Sequence, residues 1–408
     1  MTKSTTDKKR ICVLTIVYWP FSAGQGTRYP KVVCDLLENN FELTVITPHL
    51  NDSPNKNLFL EQNYPSKVIR IPYLRFKQPG FIWRIINNIS FSFGCLLAWK
   101  HIEKNSLIFT VSPDPPYYVF VLPLLKRIKS SKHLALLTDM LPDVAFDVGI
   151  VKFTLFKKII ESICVRAYKS TDHMTVITHS LKSRLISYGL HESKVSVVEL
   201  AVDIDKFKPA EVDLCALDLD SHRGKFIVMY SGSFGHMYDF DIILESAKAI
   251  KTVTDDIHFI IRGDGEQRDH ISSKIKEMKL DNVTHLGPTP DADLVVSFIN
   301  IASICVVPIR DSRSIDMTHP SKILEFWACM KPVICNSTGE VAKLIARSKA
   351  GISINPRDTS EMTKAILNLF YNRDLLYEMG RNGRKFVEME FSYQVIEKKL
   401  TNLIRSLE

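Results

Sequence analysis

The densest group of side chains that could do chemistry lies in residues 308–340, between two apolar runs. This group includes Arg310, Arg313, His319, Lys322 and Glu325. Pro320 favours the first turn of a helix, so Ser321 and Lys322 would stand where backbone N–H groups and a cation could hold a diphosphate. Glu325 follows three residues later on the same helix face and could accept hydrogen bonds from the hydroxyls of a ribose. The alternative interpretation is a surface salt bridge between Lys322 and Glu325.

Glycines recur where short apolar runs meet helical patterns. Gly24 and Gly26 follow the first run. In the second half, Gly232 follows one run, and Arg262 and Gly263 end another. Glycine lets the backbone approach a ligand closely, and the N-terminus of the next helix offers unpaired N–H groups to an anion. The first loop lacks the third glycine of the dinucleotide-binding fingerprint, so a simple tight turn is the alternative there.

Short β-branched runs alternate with helical patterns along the chain. In the first half, strands are predicted at 11–17, 43–47, 68–71, 107–111, 134–138, 174–177 and 195–198. The second half repeats the plan at 226–230, 257–261, 283–286, 304–307, 333–335 and 351–354. Because these runs lack polar alternation and are separated by helices, they indicate parallel sheets buried on both faces. The predicted fold class is α/β, with two doubly wound Rossmann-like domains facing a cleft.

The length predicts more than one domain. A chain of 408 residues exceeds the roughly 250–300 residues at which a single hydrophobic core stops growing. The stretch 202–225 is polar, carries Pro209 and Gly224, and shows no sustained periodicity. We therefore predict Rossmann-like domains over 1–205 and 206–385, followed by a C-terminal helix in 386–408 that packs back on the N-terminal domain.

Charge is distributed unevenly between the two halves. Residues 1–200 hold 26 basic and 15 acidic side chains, a net charge of +11, whereas the remainder has a net charge of −3. A basic half suits an anionic membrane surface or a phosphate-bearing substrate, and a merely solvated basic face is the alternative. The chain has no basic runs interleaved with aromatic residues on one module, so no nucleic-acid partner is expected.

The segment 81–99 is relevant to the cellular location of the protein. Polar residues, among them Arg84, make it a poor membrane-spanning helix. Its apolar residues recur at helical spacing, at Ile85, Ile89, Phe93 and Leu96. These features predict either a core helix or an interfacial patch. Eight scattered cysteines without a C-x-x-C pair indicate reduced thiols. We predict a cytoplasmic protein, either free or attached peripherally to the inner face of the membrane.

Five collinear motifs resemble those of family-four retaining glycosyltransferases, which have the GT-B fold. They are KVSVVELAVDIDKFKP, YSGSFGHMYDFDIILESA, IRGDGEQRD, VTHLGPTPDADLVVSFINIASICVVP and PSKILEFWACMKPVICNSTGE. The loop with Gly24 and Gly26 is similar to the opening glycine loop of this family, so the resemblance covers nearly the full chain. The sequence Pro-Ser-Lys at 320–322 resembles a subgroup that is similar to fucosamine transferases of surface-polysaccharide assembly.

The chain also departs from the pattern of this family. Ser233 and Tyr238 stand where most relatives place an arginine and a lysine. Met317 stands where the first of two paired glutamates is expected, while the second is kept. The resemblance implies that Lys322 replaces the lost cations at the diphosphate. Asp316, beside Met317, is a candidate substitute for the missing glutamate.

The resemblance implies retaining transfer of a hexosyl or N-acetylhexosaminyl group from a nucleotide sugar, expected to be UDP-linked. The acceptor would be lipid-linked or a glycan, in the synthesis of a cell-surface polysaccharide such as lipopolysaccharide. The C-terminal domain would bind the donor and the N-terminal domain the acceptor. Donor-binding residues would be Gly24, Gly26, Gly232, Ser233, Arg262, Gly263, His319, Ser321, Lys322 and Glu325. Asp139 and Asp143, in a segment similar to a cleft motif of the family, would position or deprotonate the acceptor hydroxyl. The alternative for Asp143 is a capping role before the next helix.

No cofactor and no metal ion are expected. Asp-x-Asp triplets at 203–205, 218–220 and 239–241 could hold a metal ion, but helix N-termini and side-chain cations neutralise the diphosphate in this fold. Two other functions remain open. One is a UDP-sugar 2-epimerase-like enzyme. The other is a non-catalytic sugar-nucleotide-binding partner, which the residues at 233, 238 and 317 favour.

Overall fold

The computed structural model describes residues 8–18, 29–48, 66–71, 81–111, 121–147 and 154–407. Packing contacts divide the chain into two units, Met1–Glu199 with Ile396–Glu408, and Leu200–Val395. The breaks fall at 199/200 and 395/396, where the sequence predicts 205/206 and 385/386. The candidate residues Gly24 and Gly26 lie outside the described residues.

The first unit alternates strands and helices. Its strands are β1 (Arg10–Leu14), β2 (Glu42–Pro48), β3 (Lys67–Ile71), β4 (Leu107–Val111), β5 (His133–Leu137), β6 (His173–Val176) and β7 (Val195–Val197). Its helices are α1 (Tyr29–Leu37), α2 (Phe81–Leu97), α3 (Leu122–Lys129), α4 (Leu141–Asp147), α5 (Thr154–Ser170) and α6 (His179–Ser187). Single 3₁₀ turns lie at Ala98–His101 and Glu192–Lys194.

The second unit repeats this alternation. Its strands are β8 (Phe226–Ser233), β9 (Ile257–Asp264), β10 (Val283–Leu286), β11 (Ile304–Val307), β12 (Val333–Cys335) and β13 (Gly351–Ser353). Its helices are α7 (Asp241–Lys251), α8 (Arg268–Glu277), α9 (Ala292–Ile301), α10 (Lys322–Ala328), α11 (Glu340–Ser348), α12 (Thr359–Tyr371) and α13 (Arg373–Glu390), with 3₁₀ turns at Leu214–Leu217, Asp220–His222 and Ile315–Met317. A last helix, α14 (Tyr393–Ser406), begins in the second unit and ends in the first.

Both sheets are parallel throughout their described strands. The first has the order β3-β2-β1-β4-β5-β6-β7 and the second β10-β9-β8-β11-β12-β13. Every strand that the sequence predicts is present, and the two doubly wound α/β domains are confirmed. In each sheet the strand order reverses once, at β1/β4 and at β8/β11. The carboxyl ends of the strands at such a switch point form a crevice, which is the usual ligand site of these folds.

Burial on both faces of the sheets explains why the strands consist of continuous apolar residues. All residues of β4, β5, β11 and β12 are buried, because helices cover both faces of a doubly wound sheet. Trp327 of α10 is fully buried in the second unit, and its indole N–H donates to the Ala350 carbonyl at 2.8 Å. This hydrogen bond satisfies the one polar atom of the side chain and fixes α10 beside the start of β13.

The segment 81–99 forms α2 and part of the following 3₁₀ turn. Phe91 and Cys95 are buried, so one face of α2 packs on the core. Ile89 and Phe93, which belong to the predicted apolar stripe, are instead exposed. The helix therefore combines a core face with an exposed apolar face. Among the described residues, no helix has the length and apolarity needed to cross a membrane.

Candidate functional site

Two neighbouring strands of the second sheet, β8 and β9, each have a glycine as their next-to-last residue. Gly232 of β8 pairs in register with Gly263 of β9, and both have φ near +150°. A Cβ on Gly263 would overlap the carbonyl oxygen of Gly232. Side chains rarely adopt this backbone conformation, and here there is also no space for one. The glycines that the sequence singles out are thus required by the close approach of two strand ends at the carboxyl edge of the sheet.

Lys322, the first residue of α10, fills the space above Gly232. Its side chain is buried, with 5% of its surface exposed, and Nζ donates to the hydroxyl of Tyr230 at 2.7 Å. Nζ also lies 4.1 Å from the ring centroids of both Tyr230 and Tyr238, within the range of a cation–π contact. The hydroxyl of Tyr230 in turn donates to the Ser233 carbonyl. A cation from α10 is therefore held against the loop that follows β8.

The contact between Lys322 and Tyr238 concerns one of the positions at which the sequence departs from the family pattern. Tyr238 stands at the position where relatives resembling this chain place a lysine. In the structure, the ammonium of Lys322 lies over the Tyr238 ring, so a cation reaches this loop from another element. Tyr230 could not be identified from the sequence as a site residue, because its role depends on its contact with Lys322, which is distant in the chain.

The ammonium of Lys322 lies in a poorly solvated place. Burial lowers its pKa to about 7, and the nearby carboxylate of Glu325 opposes this shift. Among the described residues, no carboxylate forms an ion pair with Lys322. An ammonium that is buried without a paired anion is unfavourable, and a bound anion would relieve it.

Arg262 is a second buried cation at this edge of the sheet. It is 4% exposed, and Nη1 donates to the Ser231 hydroxyl at 3.2 Å. Its guanidinium carbon lies 4.8 Å from the ring centroid of Phe298, and burial lowers its pKa. Its contacts within the described part of the chain do not include a carboxylate. Two cations that form no ion pair within the described part of the chain thus lie near the ends of β8 and β9.

The start of α10 differs from the prediction. The helix begins at Lys322 and not at Pro320, and the backbone N–H groups of Ile323 and Leu324 donate to the carbonyls of Pro320 and Ser321. The Ser321 side chain makes no capping hydrogen bond. The N–H groups of Ile323 and Leu324 are therefore engaged within this turn, and the side-chain ammonium of Lys322 is a group that α10 offers to an anion.

Other predicted donor-side residues lie near this edge in different settings. His319 is buried, and its ring packs edge-to-face on Phe391 with the centroids 6.2 Å apart. The Asp316 carboxylate accepts a hydrogen bond from the Ser337 hydroxyl at 3.2 Å, and burial raises its pKa. Ser337 lies two residues after the end of β12, so its partner Asp316 also lies at the carboxyl edge of the second sheet.

The two acidic candidates of the first unit have different surroundings. Asp139 follows the end of β5 and lies 3.5 Å from the Thr138 hydroxyl. Asp143 lies inside α4, where Arg184 binds both of its oxygens, with distances of 2.6 Å to Nη2 and 3.3 Å to Nε. The Tyr188 hydroxyl donates to the same carboxylate at 3.2 Å. Three donors from α6 and its end thus hold the Asp143 carboxylate within the first unit.

Comparison with known proteins gives a family match in the second unit. Residues 218–386 match the family model described as Glycosyl transferases group 1. An uncharacterized glycosyltransferase of Methanocaldococcus jannaschii is 28% identical over 166 residues, which are 41% of this chain and 44% of the relative. A D-inositol 3-phosphate glycosyltransferase of Gordonia bronchialis is 24% identical, over 58% of this chain and 53% of the relative. The chain spans about half the length of these two relatives.

A longer match is to a putative colanic acid biosynthesis glycosyl transferase, WcaI, of Escherichia coli K12. It is 22% identical over 338 residues, which cover 78% of this chain and 81% of the relative. Among solved structures, a sucrose-phosphate synthase from Thermosynechococcus elongatus has a TM-score of 0.78 at 17% identity, over 98% of this chain and 99% of the other. Anabaena HepE in complex with UDP-glucose has a TM-score of 0.74 at 14% identity, over 97% and 99%.

The two parallel sheets and these structural neighbours define the fold as that of GT-B glycosyltransferases. Residues 218–386 are similar to group 1 glycosyl transferases, and these relatives are named as glycosyltransferases.

Proposed function

We propose that this protein transfers a sugar, with retention at the anomeric carbon, from a UDP-linked donor to a lipid-linked or glycan acceptor in the synthesis of a cell-surface polysaccharide. The observation that carries the proposal is the buried ammonium of Lys322 beside Gly232, with which no described carboxylate forms an ion pair. A diphosphate supplies the missing charge. The likeness in fold to a protein crystallised with UDP-glucose, and the relative named for colanic acid biosynthesis, favour this donor and this pathway.

Each donor-side residue has a distinct role in this proposal. Lys322 binds the diphosphate, so no divalent ion is needed, and Glu325 accepts hydrogen bonds from the ribose. The phosphates and the base are surrounded by Arg262 and by the strand ends at Gly232–Ser233 and Gly263. His319 and Ser321, just before α10, also belong to the donor site. Gly24 and Gly26 supply backbone to the donor, Asp139 positions the acceptor hydroxyl, and Asp316 serves the transferred sugar. The Pro-Ser-Lys sequence favours the subgroup similar to fucosamine transferases.

The reaction is tested by incubating the purified protein with radiolabelled UDP-sugars and a crude membrane lipid extract. Label that moves into the lipid fraction supports transfer to a lipid-linked acceptor. Isomerised donor without transfer would instead identify a UDP-sugar epimerase. Saturable donor binding without turnover would identify a non-catalytic binder, which the residues Ser233, Tyr238 and Met317 motivate.

Donor affinity is expected to depend on pH through Lys322. Burial lowers the pKa of this ammonium to about 7, and a bound diphosphate would raise it again, so binding takes up a proton when the pH is above 7. The affinity for UDP-glucose should be constant below a pH of about 7 and should fall above it by up to about tenfold per pH unit. Calorimetric titration between pH 6 and about 9 measures this slope.

The control for this slope is Lys322→Arg, because a guanidinium stays protonated over the whole range. Its profile should be flat between the same pH limits. An affinity of the unaltered protein that rises with pH, or that follows the same slope in the arginine variant, would contradict the role given to Lys322.

A further inference from the structure

Three helices of the first unit lie on one face of its sheet. The connections from β3 to β4, from β4 to β5 and from β5 to β6 all run in the same direction across the strand order. Parallel connections are right-handed, so their helices α2, α3 and α5 cover the same face. Two contacts join them: Lys129 Nζ lies 4.7 Å from the ring centroid of Trp99, and Lys126 Nζ donates to the Ser170 carbonyl at 3.1 Å.

Each of these helices carries an exposed line of large apolar side chains. The lines follow four-residue spacing, which places their members on one side of a helix. They are Ile89, Phe93 and Leu97 on α2, Leu124 and Ile128 on α3, and Leu155, Ile159 and Ile163 on α5. Their exposed fractions range from 39% to 75%, with the highest at Leu97. A helix on a sheet ordinarily presents polar residues to solvent, so three parallel apolar lines on one face indicate a binding surface.

The charged residues around these apolar lines indicate what binds to this face of the first unit. Together, α2, α3 and α5 contain eight basic residues and a single acidic one, Glu161. Exposed cations border the apolar lines at Lys100, Arg127, Lys158, Arg166 and Lys169. Apolar side chains bordered by lysine and arginine match a bilayer surface, where the acyl region accepts the former and anionic headgroups accept the latter. Trp99, half-exposed beside Lys129, suits the level of the headgroups.

We propose that α2, α3 and α5 form a membrane-binding face, on which the apolar lines insert into an anionic leaflet and the surrounding cations bind its headgroups. The sequence predicts an anionic membrane partner, and the structure assigns it to this face. Basic residues of α3, at 126, 127 and 129, and of α5, at 157 and 158, are separate in sequence but belong to helices of the same face. This proposal rests on the first unit alone and not on the proposed transfer reaction, although a lipid-linked acceptor would be met at such a surface.

Flotation with lipid vesicles tests this face directly. The full chain is mixed with vesicles of phosphatidylcholine alone, or with vesicles that also contain phosphatidylglycerol, and the bound fraction is measured. We expect binding only to the anionic vesicles, with weakening at high salt. Phe93→Ser combined with Leu97→Ser should reduce the partition coefficient by roughly tenfold or more, because it removes two large inserting groups. Lys158→Glu combined with Lys169→Glu should reduce it through charge.

The matched control is Tyr377→Ser combined with Met389→Ser, which removes two equally exposed apolar side chains from the second unit. This variant should bind vesicles like the unaltered protein. All variants should keep the circular dichroism spectrum and the urea unfolding midpoint of the unaltered protein, which shows that they are folded. Equal binding to both vesicle types, or α2 and α5 variants that float like the unaltered protein, would overturn the proposal. So would a dimer of the unaltered protein that the α2 variant converts to a monomer, since the face would then bind protein.

Discussion

Replacing Lys322 with methionine is expected to weaken the binding of UDP-glucose by about 30-fold or more. This factor corresponds to about 2 kcal/mol, the lower end of what is lost when one partner of a buried charge pair is removed. Methionine keeps the length and the apolar contacts of the side chain but loses the ammonium that lies against Tyr230 and Gly232. The dissociation constant from calorimetry measures the effect.

The same substitution should leave the free energy of unfolding unchanged or raise it. The ammonium is buried without an ion pair, so an apolar side chain of similar volume removes an unfavourable burial. Lys331→Met is the matched control, because this lysine lies two residues before β12, at the opposite edge of the same sheet, and donates to the Asn300 carbonyl at 2.8 Å. It should bind UDP-glucose normally. Equal loss of affinity in both variants, or no loss in Lys322→Met, would argue against the proposed site.

Replacing Gly232 with alanine is expected to displace Lys322 and weaken donor binding by about tenfold or more. The new Cβ would overlap Nζ and lie 2.9 Å from Cε of Lys322, and the backbone has φ near +150°. Strain of this kind should also lower the free energy of unfolding by about 1–3 kcal/mol, which urea titration measures. Both effects arise because Gly232 is the surface on which the lysine rests.

Gly287→Ala is the control for backbone effects, since its Cβ would meet nothing within 4 Å. It should leave donor affinity unchanged. In a Lys322→Ala background the overlap disappears, so Gly232→Ala should then cause no further loss of affinity, although the backbone strain should still lower stability. Additive losses of affinity in the double variant would mean that Gly232 acts on the donor independently of Lys322.

Local patterns were sufficient to predict the strands and both sheets. Short β-branched runs bounded by glycine and polar residues fix buried parallel strands almost unambiguously, and all of them are present. The glycines at 232 and 263 were also recognisable, because a glycine directly after an apolar run often marks a close backbone approach.

The partners of the site residues could not be predicted, since they depend on contacts between distant segments. Lys322 and Tyr230 are 92 residues apart, and no local pattern connects them. Arg184 lies 41 residues after Asp143, so the ion pair that occupies this carboxylate was also hidden. The exposure of Phe93 could not be decided from the sequence, which left a core helix and an interfacial patch open, because helical spacing identifies an apolar side but not what covers it.

The most direct test of the proposed site is a crystal structure with bound UDP-glucose, grown in the presence of EDTA. We expect a diphosphate oxygen within about 3 Å of Lys322 Nζ, in the space above Gly232, with no cation between the diphosphate and the protein. A diphosphate seated away from Lys322, or binding that requires a divalent ion, would contradict the proposal.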